Sequence, residues 1–365
     1  MAESTRNNKS NNSIKQDRKT NLKKLGKQFL DFLVVSFNGM AFGLFATLII
    51  GVIIQQIGLL IGEIPGASTL SEYIIQLATI LKSFMGVGIG IGIAYMLKLE
   101  GLKLVAGALA GGIGTLFRYG TGNPLNDPMV AYFCVIGVYL VFKYLLKKKT
   151  PIDIILVPLI GGIIGFIIAF LLGAPVKSFM DMLGAFIQTA TDYQPFLMGI
   201  IIAVLMGMFL TMPISSAAIA ISISLGSIAG GAAVVGCSVQ MLGFAVMSRK
   251  DNNIGTVISV GIGTSMLQFK NILRKPIIWL PTIIVSAILG PLATLVFKTQ
   301  TTPIGSGMGT SGLVGQIGTF DAMGYTSSAF LSIGILQIAL PIILVWILDV
   351  LFRKKGLIQP GDLKI

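Results

Sequence analysis

Long apolar runs, broken by short polar or basic turns, set the pattern of this chain. Runs that read as helical spans lie at about 32–61, 74–97, 104–117, 129–146 and 152–172, and again at about 196–212, 230–247, 277–297 and 330–352. At a rise of about 1.5 Å per residue, most are long enough to cross a hydrocarbon layer of about 30 Å. The stretch 215–228, which follows Pro213, is small and polar; it must cross as a short helix or pair with its neighbour. Residues 173–194 differ again. Val176, Phe179, Met180, Leu183, Phe186 and Ile187 recur at helical spacing among Pro175, Lys177, Asp181 and Asp192, which predicts an interfacial amphipathic helix. The pattern predicts an all-α polytopic membrane bundle of about ten transmembrane helices, five on each side of that linker.

Two segments do not fit as spans. Residues 253–275 hold a short apolar piece bracketed by Arg249 and Lys250 on one side and Lys270, Arg274 and Lys275 on the other. Basic residues at both ends predict a re-entrant hairpin that enters and leaves on the cytoplasmic side. Residues 301–320, TTPIGSGMGTSGLVGQIGTF, carry six glycines between two long apolar runs. Glycine disfavours helix, yet the segment is apolar for a solvated loop. Irregular backbone at membrane depth is tolerated where it lines a cavity, so this segment predicts a second hairpin, on the outer side.

Composition agrees with a membrane protein and adds orientation. Hydrophobic residues make up 54% of the 365 and charged residues 11%, against about 25% charged in soluble domains. The net charge of +13 does not point to nucleic acid. Arg6, Lys9, Lys15, Arg18, Lys19, Lys23, Lys24 and Lys27 crowd the first 28 positions, and Lys147, Lys148, Lys149, Arg353, Lys354 and Lys355 follow later spans. Read by the positive-inside rule, both termini are cytoplasmic. The expected organisation is a disordered basic tail at 1–28, which can touch anionic lipid, scaffold and dimerisation helices at 29–173, the linker at 174–195, solute-binding helices and hairpins at 196–355, and a tail at 356–365.

Candidate chemistry is neutral. Histidine is absent and the two cysteines, Cys134 and Cys237, lie in separate apolar runs. No catalytic residue, metal site or cofactor is expected, and a zinc enzyme or a Ser–His–Asp hydrolase is excluded. Asp31, Asp153 and Asp349 sit near span ends, so no span centre carries the buried carboxylate usual in ion-coupled carriers. What remains are amides and hydroxyls. Thr310, Ser311 and Gln316 lie in the outer hairpin, Ser215 and Ser216 follow the break at Pro213, and Gln268 and Asn271 lie in the cytoplasmic hairpin. Each suits a hydroxyl-rich solute, though serines also bond back to helix backbone and amides also tie helices together. Gln240 has the same two readings. The loop 118–128, with Arg118, Asn123, Asn126 and Asp127, is either a polar lip at the outer entrance or a capped turn. The run GVGIGIG at 86–92 reads as close helix packing, since no strand precedes it.

Taken together, the layout resembles the membrane component, EIIC, of the bacterial sugar phosphotransferase system. TMPISSAAIAISI at 211–223 is similar in position and character to the Gly-Pro-containing segment of fructose-type EIIC, and TPIGSGMGTSGLVGQIGTF at 302–320 lies where those proteins carry a Gly/Ile-Thr-Glu-Gly hairpin. The chain is most similar to the EIIC-like subfamily that includes clostridial cytolysin regulator-like membrane proteins. It departs at Gly309-Thr310-Ser311-Gly312, which has no glutamate. The resemblance implies a homodimeric multi-pass protein of the bacterial cell membrane that moves a sugar or polyol by alternating access. Phosphate would come from separate EIIB and EIIA proteins. The alternative is an EIIC-like regulatory or sensor protein without transport.

Overall fold

A computed structural model describes residues 26–120, 122–146, 150–191 and 193–365. The basic segment at 1–25, Lys147–149 and Asp192, on which parts of the topology and tail expectations rest, lie outside the described residues. The rest is helical, with one isolated antiparallel bridge between Ser227 and Thr301 among the described residues.

The first part is an up-and-down bundle. Helix α1 (Gly26–Gly62) runs antiparallel to a bent pair, α2 (Ser68–Ser83) and α3 (Met85–Met96), which meet at 47°. Then follow α4 (Leu102–Leu116), α5 (Pro128–Tyr144) and α6 (Asp153–Thr191). Backbones approach closely, as the glycine run at 86–92 predicts. A Cβ on Gly43 would sit 2.1 Å from the Gly88 carbonyl oxygen. Met40, Leu44, Ile89, Ile93 and Val135 fill one core, and Ala106, Ala110, Val138, Phe142 and Val157 a second.

The span expected at 152–172 and the amphipathic helix expected at 173–194 are one continuous helix, α6, of 39 residues. Pro175 does not end it. The Tyr119 hydroxyl is spliced into the ladder there, accepting from Ala174 N at 2.9 Å and donating to Phe170 O at 2.7 Å. A side chain thus stands in for the direct bond between residues 174 and 170, where a proline would otherwise disrupt the turn.

The second part is less regular. Helix α7 (Pro195–Thr211) descends beside α9 (Ser227–Ser248), in the same direction, and the two pack through Gly207, Gly236 and Ala203. At Thr211, α7 is level with Gln240, well short of the end of α9. The chain then turns back through α8 (Ser216–Ser222), whose seven residues rise only about 10 Å. This settles the ambiguous stretch at 215–228: it is a short helix that pairs with its neighbours, not one of span length. Helix α10 (Ile254–Gly263), the turn 265–268 and α11 (Phe269–Arg274) form one hairpin. Helix α12 (Pro276–Val296) returns antiparallel to α9, with Thr282 against Gly243, and packs on α7 with Gly290 against Gly199. The segment 301–320 forms the second hairpin, with α13 (Pro303–Ser306) and α14 (Val314–Met323), before the last span α15 (Ser327–Lys354). Among the described residues, five helices are long and apolar enough to cross a membrane, and six if the bent pair counts as one span. Four shorter apolar helices, α4, α5, α7 and α10, accompany them.

Candidate functional site at the meeting of two hairpins

The hairpin at 301–320 is shaped by its glycines. Thr302 caps α13 by accepting from Gly305 N, and the chain then reverses through Gly309 and Gly312, at φ +53° and +55°. That left-handed backbone favours glycine. Gly309 has a further reason: a Cβ there would lie 2.7 Å from the Cys237 carbonyl carbon on α9. The turn leaves Thr310 and Ser311 at the tip.

The facing hairpin presents carbonyls. Helix α10 ends in a π-helical turn, Ser259–Gly263, after which Thr264 is extended and caps the next turn through Met266 N. π turns leave backbone groups off the regular ladder and recur at functional sites. Here Thr310 Oγ1 donates to Gly261 O at 2.5 Å and Ser311 Oγ donates to Gly263 O at 2.7 Å. Both hydroxyls are buried. The two hairpins, entering from opposite ends of the bundle, meet tip to tip through neutral hydrogen bonds.

A buried polar network continues behind this contact. Ser265 Oγ lies 2.9 Å from Thr211 Oγ1 at the truncated end of α7, and Thr211 reaches Gln240 Oε1 at 3.2 Å. The same amide oxygen accepts from Trp279 Nε1 at 2.9 Å and Thr282 Oγ1 at 3.1 Å. An indole N–H only donates, so Trp279 fixes which end of the Gln240 amide faces it. Gln240 Nε2 then has no partner among the described residues, although the side chain is fully buried. On the other flank Gln316 Nε2 donates to Gln337 Oε1 and Gln337 Nε2 to Thr319 Oγ1, both at 2.9 Å. Gln316 Oε1 and Thr301 Oγ1 are likewise buried without partners.

The sequence candidates therefore divide. Thr310 and Ser311 form the junction, and Gln316 flanks it. Ser216 donates to Gly307 O at 2.7 Å, so α8 is tied to the 301–320 hairpin, and Ser215 precedes it, half-buried. Gln268 and Asn271 face the other way. Gln268 Nε2 donates to Leu363 O at 2.9 Å, and Asn271 Nδ2 donates to Gln268 Oε1 at 2.7 Å and Lys364 O at 3.2 Å. They hold the C-terminal segment. Thr211, Ser265, Thr282 and Trp279 were not singled out from sequence. Their one sequence signal is a polar or indole group beside the same breaks, at Pro213, Gly263 and Pro281.

The junction's chemistry is that of hydroxyls, amides and carbonyls. The carboxylates of α15, of the turn after α9 and of the C-terminal segment are engaged elsewhere: Asp349 and Asp251 with Arg353 at 2.8 and 3.6 Å, Asp362 with Lys275 at 2.6 Å. Burial raises the Asp362 pKa, but the Lys275 ammonium and the Gln359 N–H outweigh it and hold the carboxyl below its usual value. Among the described residues no cluster of metal-ligating side chains occurs. Such a surface suits a neutral solute that both gives and takes hydrogen bonds.

The family model of the phosphotransferase system EIIC matches residues 35–365. The chain belongs to that family. It is a multi-pass membrane transport protein of the phosphotransferase system, and the two-hairpin fold is the one the sequence resemblance implied. No curated protein and no solved structure matches it.

Proposed function

We propose that this protein moves a neutral sugar or polyol across the bacterial membrane by alternating access, and that the meeting point of its hairpins is where the solute is held. The observation that carries this reading is the pair of tip-to-tip bonds, Thr310 to Gly261 O and Ser311 to Gly263 O. Two hydroxyl donors and two carbonyl acceptors mimic the groups a sugar offers, so a sugar can take their place as the tips part. Ser215, Ser216 and Gln316 line the same region, and the unpaired Gln240 Nε2 and Gln316 Oε1 add a donor and an acceptor that a solute would satisfy.

The moving part is 196–355, working against the scaffold 29–173, in a homodimer formed through the scaffold with both termini in the cytoplasm. Gln268 and Asn271 support the reading differently from the expectation: they steady the cytoplasmic hairpin instead of touching solute. Phosphate, where it is transferred, comes from EIIB- and EIIA-type phosphocarriers. Uptake of a sugar and polyol panel into proteoliposomes tests the reading. Thr310→Val is expected to lower uptake of the accepted solute tenfold or more, and Gln316→Ala about fivefold, each removing at least one hydrogen bond of about 1 kcal/mol. Unchanged uptake in both variants overturns it.

A further inference from the structure

A cavity of about 370 Å³ opens between the scaffold and the hairpin-bearing part, away from the hairpin tips. Ligand pockets for small molecules begin at about 300 Å³. One wall is the loop after α4, the second is α6 beyond Pro175, and the third is Ile219 of α8. The walls are held in place. Leu125 N and Asn126 N fold the loop back onto Phe117 O and Thr115 O, at 3.0 and 2.9 Å. Asp127 Oδ1 caps α5 by accepting from Met129 N at 2.7 Å and Val130 N at 3.3 Å. Tyr119 pins the loop to α6 through the hydroxyl spliced between Phe170 and Ala174. Gly173 allows this, since a Cβ there would stand 2.8 Å from the tyrosine oxygen.

The lining mixes two kinds of surface. Asn123, Asp127, Lys177 and Asp181 supply hydrogen-bond donors and acceptors, and Met180 and Ile219 supply apolar patches. The charged groups include both signs, so no strong field favours an ion. A sugar presents the matching pair of faces, hydroxyl edges and a C–H face. The third wall matters most. Ile219 belongs to the seven-residue helix whose Ser216 holds Gly307 of the outer hairpin. Anything seated in the cavity touches the scaffold and an element bonded to the hairpin at once.

We infer that this cavity is a second solute subsite, an outer vestibule that receives a small neutral polyhydroxyl solute before it reaches the hairpin junction. The inference rests on the transport reading for its place in the cycle, but binding at the cavity can be measured without transport. The exposed Gly122 lies on the cavity lip. Cys134 and Cys237 are buried, so Gly122→Cys gives one reactive thiol in the folded protein.

In detergent, labelling of Gly122→Cys by a hydrophilic maleimide is followed with glucose, fructose, N-acetylglucosamine and mannitol. At least one is expected to slow labelling in a saturable way. Adding Asn123→Ala is expected to raise the half-protecting concentration about fivefold, the loss of roughly one hydrogen bond, without moving the melting temperature. Adding Thr310→Val is expected to leave protection intact. The inference is overturned if no sugar protects, if Asn123→Ala leaves the half-protecting concentration unchanged, or if Thr310→Val abolishes protection as fully. Protection without any sugar uptake in proteoliposomes would fail the transport reading and leave the vestibule standing.

Discussion

Gln240 shows how one buried amide can hold a membrane core together and stay incomplete. Its oxygen accepts from three side chains on two other helices. Thr211 and Thr282 have second acceptors, Gly207 O and Trp279 O, but the structure gives the Trp279 N–H no other. Gln240→Leu is therefore expected to cost about 1–3 kcal/mol, mainly from the stranded indole donor. It should lower the melting temperature in detergent, and Trp279→Phe in the same chain should recover most of the loss. A double variant no more stable than Gln240→Leu alone would show that the indole bond is not what the amide secures. From sequence, Gln240 had two equal readings because an amide in an apolar run says nothing of its partners. Thr310 and Ser311 were more legible. Six glycines in twenty residues disfavour a regular span, the apolar residues between them disfavour a solvated loop, and that places two hydroxyls on an irregular turn.

At the scale of elements, the hairpin at 254–274 is not free. The segment after α15 folds back over it as a strap. Leu363 and Ile358 are buried in the core of the second part. Asn252 Nδ2 and Gln268 Nε2 both donate to Leu363 O, and Asp251 accepts from Gly361 N and Leu363 N. The expected tail at 356–365 is thus a packed element. Its ten residues hold four apolar ones, Leu357, Ile358, Leu363 and Ile365, too few and too unevenly spaced to give a period to read. Leu363→Asp is expected to release it. A spin label at Lys364→Cys, immobile in the parent chain, should become mobile in that variant.

The strap's ion pair also sets a pH limit. Asp362 has its folded pKa held below the usual value near 4, so its contribution is complete above that value and is lost as pH falls through the lowered one. The same spin label should stay immobile from neutral pH down to about 4 and loosen only below it. Loosening between pH 7 and 5 would assign the strap's hold to another group. Helix α6 makes the converse point. Pro175 and the change from apolar to amphipathic pattern read as a boundary, and only Tyr119, more than fifty residues earlier, restores the ladder. Long-range contacts of that kind leave no local trace.

For the whole molecule, the sequence carried the all-α membrane bundle and the two hairpins, but not the number of spans: about ten were expected, and α7, read as one of them, stops short and turns back through α8. Apolar period and basic brackets are properties of the membrane environment and are written locally. The depth at which α7 stops, the tip-to-tip meeting and the cavity beside α8 depend on how two halves pack, and no run of residues encodes them. The central claim is that the hairpin tips part around the solute. The most direct test is an experimental structure determined with a transported sugar bound. The account predicts the sugar within hydrogen-bond distance of Thr310 and Ser311, with their bonds to Gly261 and Gly263 broken. A sugar bound outside both the junction and the vestibule, with both bonds intact, would contradict it.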